Sequence, residues 1–233
     1  MELLAFNSSR TRLREENSAF AATIAPGARV LDAGAGDAPY RDLFAHTEYE
    51  SADFEQVDKA YGTTTHVCDL AAIPVEDGRY DALVFNQVME HLPDPGAVIS
   101  ELHRVLKPGG RMIYSGPLFF EEHEQPYDFY RYTRFGVRHL FERGGFQVER
   151  LDWLEGFFGT VGYQLNRMAR YLPSRPRQLG GGLTGLLLAP SMVVLRSVFA
   201  ALSVGFHRLE LRAKVVDRGY PKNYVAILTK ASA

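Results

Sequence analysis

The stretch that decides the fold is Arg-Val-Leu-Asp-Ala-Gly-Ala-Gly-Asp-Ala-Pro, residues 29–39. Its apolar first half predicts a buried strand, and Gly34 and Gly36 predict a tight turn directly after it. Glycine has no Cβ, so the backbone can turn sharply there and a ligand can approach it closely. Pro39 suits the start of a following helix. The stretch is typical of a nucleotide-binding turn, with an ordinary strand-to-helix turn as the alternative.

A carboxylate stands at the end of the next predicted strand. Asp53 lies 17 residues beyond Gly36, where a carboxylate can accept hydrogen bonds from both hydroxyls of a ribose. Dinucleotide-binding enzymes share this arrangement, but their fingerprint has glycine or alanine where this chain has Pro39. An NAD-dependent enzyme is therefore the weaker alternative.

Strands and helices alternate along the rest of the chain. Apolar or β-branched runs predict seven strands, at residues 29–34, 49–54, 64–70, 80–88, 111–115, 146–153 and 224–229. Helical patterns occupy residues 11–25, 95–106 and 133–143. This alternation predicts an α/β fold with a mostly parallel sheet, helices on both faces, and a ligand site beyond the carboxyl ends of the strands.

Several short motifs follow the glycine turn in a fixed order. They are Asp53, Cys68-Asp69-Leu70, the run Tyr-Asp-Ala-Leu-Val-Phe-Asn at 80–86, Glu90-His91-Leu92, and Leu-Lys-Pro-Gly-Gly at 106–110. Together with residues 32–36 they resemble class I S-adenosylmethionine-dependent methyltransferases over about residues 28–153. The greatest similarity is to the small-molecule, type 11 branch that includes the ubiquinone and menaquinone methyltransferases. The resemblance implies a Rossmann-like sheet.

The resemblance also implies S-adenosylmethionine as the cofactor. The implied binding residues are Asp32 for the glycine loop, Gly34 and Gly36 for the methionine part, Asp53 for the ribose, Asp69 and Leu70 for the adenine, and Asn86 for the methionyl side. Ala38 departs from the pattern, because many members have a third glycine there.

Few catalytic side chains are expected, because the sulfonium of this cofactor already activates the methyl group. A hydroxyl acceptor would need a base, and His91 or His123 is placed to serve. The alternative is that His91 only packs the loop before Pro93. The histidines form no recognisable metal motif, so we predict no metal.

The connection after the fifth strand, residues 116–133, is unusually long and aromatic, which predicts a lid. Its candidate substrate-binding residues are Tyr127, Asp128, Tyr130 and Arg131. Arg131 could clamp a phosphate or carboxylate in bidentate fashion. The alternative is an ion pair between Arg131 and Asp128 that fixes the loop. The Pro-Tyr-Asp-Phe-Tyr-Arg-Tyr-Thr run at 126–133 resembles bacterial methyltransferases thought to act on sugars or lipid-linked intermediates.

Composition and charge set limits on the whole chain. The 233 residues suit a single domain, 1–233, and the net charge of -2 gives no general basic surface for nucleic acid. Cys68 is the only cysteine, and residues 1–20 lack a signal-peptide pattern, so a cytoplasmic protein is expected.

One insertion, residues 155–218, differs from the rest. Its apolar stretch 183–206 is long enough to cross a bilayer, and residues 157–218 carry nine basic and two acidic residues. We predict a helical cap over the substrate entrance that touches a membrane surface or a lipid-like acceptor. The alternatives are a helix buried against the core or in a homodimer, and a true span, which Pro190 and Arg196 disfavour.

The sequence thus predicts a methyltransferase that acts on a small molecule, such as a sugar or a lipid-linked intermediate, and not on nucleic acid. The alternative is a catalytically silent member of the fold that binds the cofactor and acts in assembly or regulation.

Overall fold

A seven-stranded sheet is the centre of the computed structural model, which describes residues 7–232. Its strands are β1 (Arg29–Ala33), β2 (Glu48–Asp53), β3 (His66–Val67), β4 (Tyr80–Asn86), β5 (Leu106–Pro117), β6 (Phe146–Trp153) and β7 (Asn223–Lys230). They lie in the order β3-β2-β1-β4-β5-β7-β6. The first five strands are parallel, whereas β7 is antiparallel to both of its neighbours. The prediction of a mostly parallel seven-stranded sheet is confirmed.

Successive side chains of a strand point to opposite faces of the sheet, and here both faces carry apolar side chains. On β4, Leu83 and Phe85 pack with residues of α2 (Pro95–Val105) and α3 (Arg134–Arg143). Ala82 and Val84 belong to a second core cluster that includes Leu13, Phe20 and Ala21 of α1 (Ser8–Ala21). Helices therefore cover both faces, as predicted.

The connection after β1 differs from the prediction. Instead of an α-helix starting near Pro39, it contains one short 3₁₀ helix, Arg41–Phe44. An α-helix needs consecutive right-handed residues, and Ala38 has a φ of 51°, in the left-handed region. Four-residue turns continue the chain instead, with hydrogen bonds from Ala38 N to Ala35 O and from Arg41 N to Ala38 O. The predicted helix start is therefore wrong.

The chain divides into two compact units. One comprises Leu13–Leu154 together with residues 223–232 and contains the sheet. The other comprises residues 7–12 together with Glu155–Lys222 and contains α4 (Phe157–Tyr171) and α5 (Gly182–Arg212). The predicted helical insertion between β6 and β7 is confirmed, whereas the single-domain description stays a prediction.

Buried polar groups hold the insertion together. The Glu210 carboxylate accepts hydrogen bonds from the backbone amides of Gly156 and Gly159, at 2.7 and 3.1 Å. These amides lie at the amino end of α4, where a negative charge is favoured by the helix dipole. At the other end of α4, Arg196 donates to the carbonyl of Ala169 at 2.8 Å. Each end of α4 is thus satisfied by a charged side chain of α5.

We expect Glu210→Ala to destabilise the insertion by about 3 kcal/mol, because it removes two charge-assisted hydrogen bonds and leaves buried amides unsatisfied. This corresponds to a melting temperature roughly 6–12 °C lower in thermal unfolding followed by circular dichroism. Arg218→Ala, which alters a side chain that is 78% exposed, is the control and should change little. Equal melting temperatures for Glu210→Ala and the parent chain would contradict this description of the insertion.

Candidate cofactor and active site

The two glycines of the turn after β1 serve different purposes. Both have positive φ, 77° at Gly34 and 54° at Gly36. A Cβ on Gly34 would lie 2.4 Å from the side chain of Val88, so packing alone excludes any larger residue there. A Cβ on Gly36 would meet nothing nearer than Lys59 Nζ at 4.0 Å. The backbone at Gly36 is thus the part of the turn that a ligand can approach.

Asp53 at the end of β2 fixes this turn. Its Oδ2 accepts a hydrogen bond from the amide of Gly36 at 2.9 Å, and its Oδ1 accepts one from the amide of Glu55 at 3.1 Å. The side chain is buried, yet each carboxylate oxygen retains a second lone pair. The geometry fits the predicted ribose contact, and it adds a structural role that the sequence did not indicate.

Asp32 is buried beneath the turn and paired with β2. The hydroxyl of Tyr49 donates to Asp32 Oδ2 at 2.5 Å. Burial raises the pKa of Asp32 to about 6, the Tyr49 hydrogen bond acts in the opposite direction, and the charge of Asp53 adds to the rise. The partner of this carboxylate is thus a tyrosine, and its role in organising the glycine loop stays a prediction.

The remaining predicted cofactor residues have varied surroundings. Leu70 is buried in the core, whereas Asp69 is exposed and accepts a hydrogen bond from the amide of Ala71. The amide of Asn86 donates to Asn17 Oδ1 at 2.8 Å and accepts from Ser115 Oγ at 2.7 Å. Their contacts with adenine and methionine stay predictions.

Sequence reasoning missed Asn17. This residue is fully buried on α1, and its side chain also donates to the carbonyl of Leu13. The signal in the sequence was a polar residue on the apolar face of a predicted helix, which indicates a buried side chain with a hydrogen-bond partner.

The predicted lid is fastened to the segment after β4. The amides of Phe129 and Tyr130 both donate to the carbonyl of Glu90, and the hydroxyl of Tyr132 donates to the carbonyl of Met89. The ring of Tyr127 packs edge-on against Phe54, with centroids 5.2 Å apart. The aromatic connection therefore lies along the carboxyl ends of β2 and β4.

Arg131 and Asp128 hold this connection in shape. Arg131 donates to both carboxylate oxygens of Asp128, at 2.6 and 2.9 Å, and also to the carbonyls of Phe120 and Glu121. These hydrogen bonds hold the pKa of Asp128 down at about 2. The structure thus contains the loop-fixing ion pair, while substrate binding by these residues and by Tyr127 and Tyr130 stays a prediction.

His91 and His123 meet at this same place. Their rings pack edge to face with centroids 4.6 Å apart, and burial lowers the pKa of both imidazoles. Glu90 lies beside them, and burial raises the pKa of its carboxyl to about 8. The two predicted catalytic histidines are therefore brought together. The sequence analysis included Glu90 in a family motif but did not predict a function for it.

A family model described as a methyltransferase domain matches residues 6–165. The chain belongs to this methyltransferase family. The predicted class I S-adenosylmethionine-dependent resemblance, with this cofactor, is thus confirmed at the level of the family.

Two curated relatives agree with this assignment. A probable S-adenosylmethionine-dependent methyltransferase of Mycolicibacterium smegmatis is 32% identical over 148 residues, which is 58% of this chain and 57% of that protein. A ubiquinone/menaquinone biosynthesis C-methyltransferase of Desulfotalea psychrophila is 33% identical over 102 residues, which is 38% of this chain and 41% of that protein. The methyltransferase thus matches about half the length of these relatives.

Among solved structures, a putative sarcosine dimethylglycine methyltransferase from Galdieria sulphuraria has a TM-score of 0.56 at 17% identity. The match covers 96% of this chain and 85% of that one. At this identity it shows the shared fold alone.

The raised pKa of Asp32 gives a prediction for the methyltransferase. Because the folded protein holds this proton more tightly than the unfolded chain, Asp32 should oppose folding increasingly as the pH rises from about 4 to 6. Tyr49→Phe removes the hydrogen bond that favours the carboxylate, so it should raise this pKa further. Carboxyl carbon NMR titration measures both values. A pKa near 4 in the parent chain would contradict the assignment.

Proposed function

We propose that this chain is an S-adenosylmethionine-dependent methyltransferase that acts on a small molecule. The observation that carries the proposal is the glycine turn that Asp53 holds open at Gly36, in a chain that belongs to a methyltransferase family. Bound S-adenosylmethionine supplies a methyl group activated by its sulfonium. The protein then has chiefly to hold donor and acceptor in line, which is worth about 7–11 kcal/mol in favourable cases.

We propose that the histidines accept the proton of a hydroxyl acceptor. Nδ1 of His91 lies 2.6 Å from the carbonyl of Tyr127, and a carbonyl only accepts, so this nitrogen carries the hydrogen. Nε2 of His91 is then the basic atom. The lowered pKa keeps the imidazole neutral near pH 7, which is the form that accepts a proton.

The acceptor class is inferred from the lid. Phe119, Phe129 and Tyr130 are large aromatic side chains that are between 40% and 44% exposed. Exposed aromatic rings suit the apolar faces of sugars and prenyl or acyl chains. The Desulfotalea relative is named for ubiquinone and menaquinone biosynthesis. These features support a sugar or a lipid-linked intermediate as the acceptor.

The helix α5 supports contact with a membrane surface. By length and composition α5 is apolar enough to cross a bilayer, and only 6% of its most apolar 18 residues are buried inside the protein. Leu183, Leu186 and Leu187 are each more than 60% exposed. Residues 157–218 carry a net charge of +7, which attracts anionic lipid. We propose a cytoplasmic protein with α5 lying in the membrane interface, and a homodimer through α5 is the alternative.

Replacing Asp53 tests the cofactor site. Asp53→Ala should weaken binding of S-adenosylhomocysteine at least tenfold in calorimetry, because both the turn and the ribose lose their acceptor. Asp152→Ala, on the exposed edge strand β6, is the matched control and should bind like the parent chain. Unchanged affinity in a folded Asp53→Ala protein would sink the ribose contact.

Catalysis itself is tested by incubating the protein with methyl-labelled S-adenosylmethionine and fractionated cell extract. We expect label in a small molecule, with turnover lowered at least tenfold in the His91→Ala, His123→Ala double variant while cofactor affinity is kept. Cofactor binding without transfer of label to any fraction would instead favour a silent assembly or regulatory module.

Flotation tests the membrane contact. The protein should float with vesicles containing phosphatidylglycerol at low salt, and Leu183→Asp with Leu187→Asp should reduce recovery at least tenfold. Phe135→Asp, which replaces an equally exposed apolar side chain on α3, is the control and should still float. Absence of flotation together with a concentration-dependent dimer would favour the homodimer.

A further inference from the structure

The two histidines of the site are oriented in the same way. Nδ1 of His91 lies 2.6 Å from the carbonyl of Tyr127, and Nδ1 of His123 lies 3.1 Å from the carbonyl of Glu121. Each Nδ1 must therefore be the donor, which leaves the lone pair of each ring on Nε2. Histidines that bind metal ions almost always donate their other ring nitrogen to a carbonyl or carboxylate in this way.

A buried carboxylate completes the group. Glu90 is 1% exposed, and neither of its carboxylate oxygens has a hydrogen-bond partner among the described residues. Its Oε1 lies 3.9 Å from Nε2 of His91. Buried polar atoms are normally satisfied, so two unpartnered carboxyl oxygens, one of them near an imidazole nitrogen, need a partner that the described protein atoms do not supply.

We propose that Glu90, His91 and His123 bind a divalent transition-metal ion. One ligand atom from each residue lies within 4.8 Å of the other two. Ligand atoms around a single such ion are about 3–3.5 Å apart, so the most widely separated pair needs to close by at most about 1.3–1.8 Å. His123, which is 29% exposed, has room to make this movement.

The donor set selects the kind of ion. Two imidazole nitrogens and one carboxylate oxygen suit Zn²⁺, Co²⁺, Ni²⁺ or Fe²⁺, whereas Mg²⁺ and Ca²⁺ prefer oxygen ligands. Three protein ligands also leave a coordination position open to an oxygen atom of the acceptor. An oxygen held there would lose its proton more readily.

This role in catalysis rests on the proposed methyl transfer, whereas binding of the ion does not. A nitrogen that binds a metal ion cannot also take a proton. The metal site and the base assigned above are therefore exclusive uses of the same Nε2 atoms, and they can be separated experimentally.

The test starts from full-length protein treated with a chelator and then titrated with Zn²⁺ in calorimetry and with Co²⁺ in visible absorption. We expect one equivalent of each ion and at least tenfold weaker binding in Glu90→Gln and in His123→Ala. His139→Ala, which removes an exposed histidine on α3, should bind like the parent chain. Mg²⁺ should not compete.

Two further measurements keep the outcomes distinct. Binding of S-adenosylhomocysteine by the same preparations reports on the proposed function, so its loss in every sample would count against that function and not against the ion. Thermal unfolding shows whether Glu90→Gln is folded. Absence of stoichiometric Zn²⁺ binding, or binding by folded Glu90→Gln and His123→Ala as tight as that of the parent chain, would overturn the metal site. Full methyl transfer by chelator-treated protein would overturn the role of the ion in catalysis and support the histidine base.

Discussion

The hydrogen bonds from the amides of Gly36 and Glu55 to the carboxylate of Asp53 are the interaction on which the site depends. They join the turn after β1 to the end of β2. The turn contains two glycines and Ala38 at positive φ, a region that costs a residue with a side chain about 1–2 kcal/mol. Without the hydrogen bonds to Asp53, this turn would not be held in a single conformation.

The sheet and the order of motifs could be predicted from sequence because they depend on local patterns. Alternating side chains on β4 place Leu83 and Phe85 on one face and Ala82 and Val84 on the other, and the continuous apolar run that a strand buried on both faces needs is visible in the sequence. The 3₁₀ helix Arg41–Phe44 could not be predicted in the same way. It depends on the conformation of Ala38, a residue whose side chain gives no signal for positive φ.

Much of the candidate site also depends on contacts between distant segments. The side chain of Val88 leaves no room for a Cβ at position 34, which explains the glycine there. The amides of Phe129 and Tyr130 donate to the carbonyl of Glu90 from a distant part of the chain. His91 and His123 are 32 residues apart in the sequence, and only the folded structure shows that their rings are in contact. The insertion follows the same rule, since the carboxylate of Glu210 and the amide of Gly156 are brought together by the packing of α4 on α5.

We infer that the turn held by Asp53 receives S-adenosylmethionine. The most direct measurement is an amide NMR titration of the isotopically labelled protein with S-adenosylhomocysteine, with NADH as the competing ligand. We expect saturable shifts for the amides of Gly36 and Glu55, which report on both oxygens of Asp53, and no such shifts with NADH. Unchanged amides at both positions at saturating S-adenosylhomocysteine, or equal shifts with NADH, would contradict this inference.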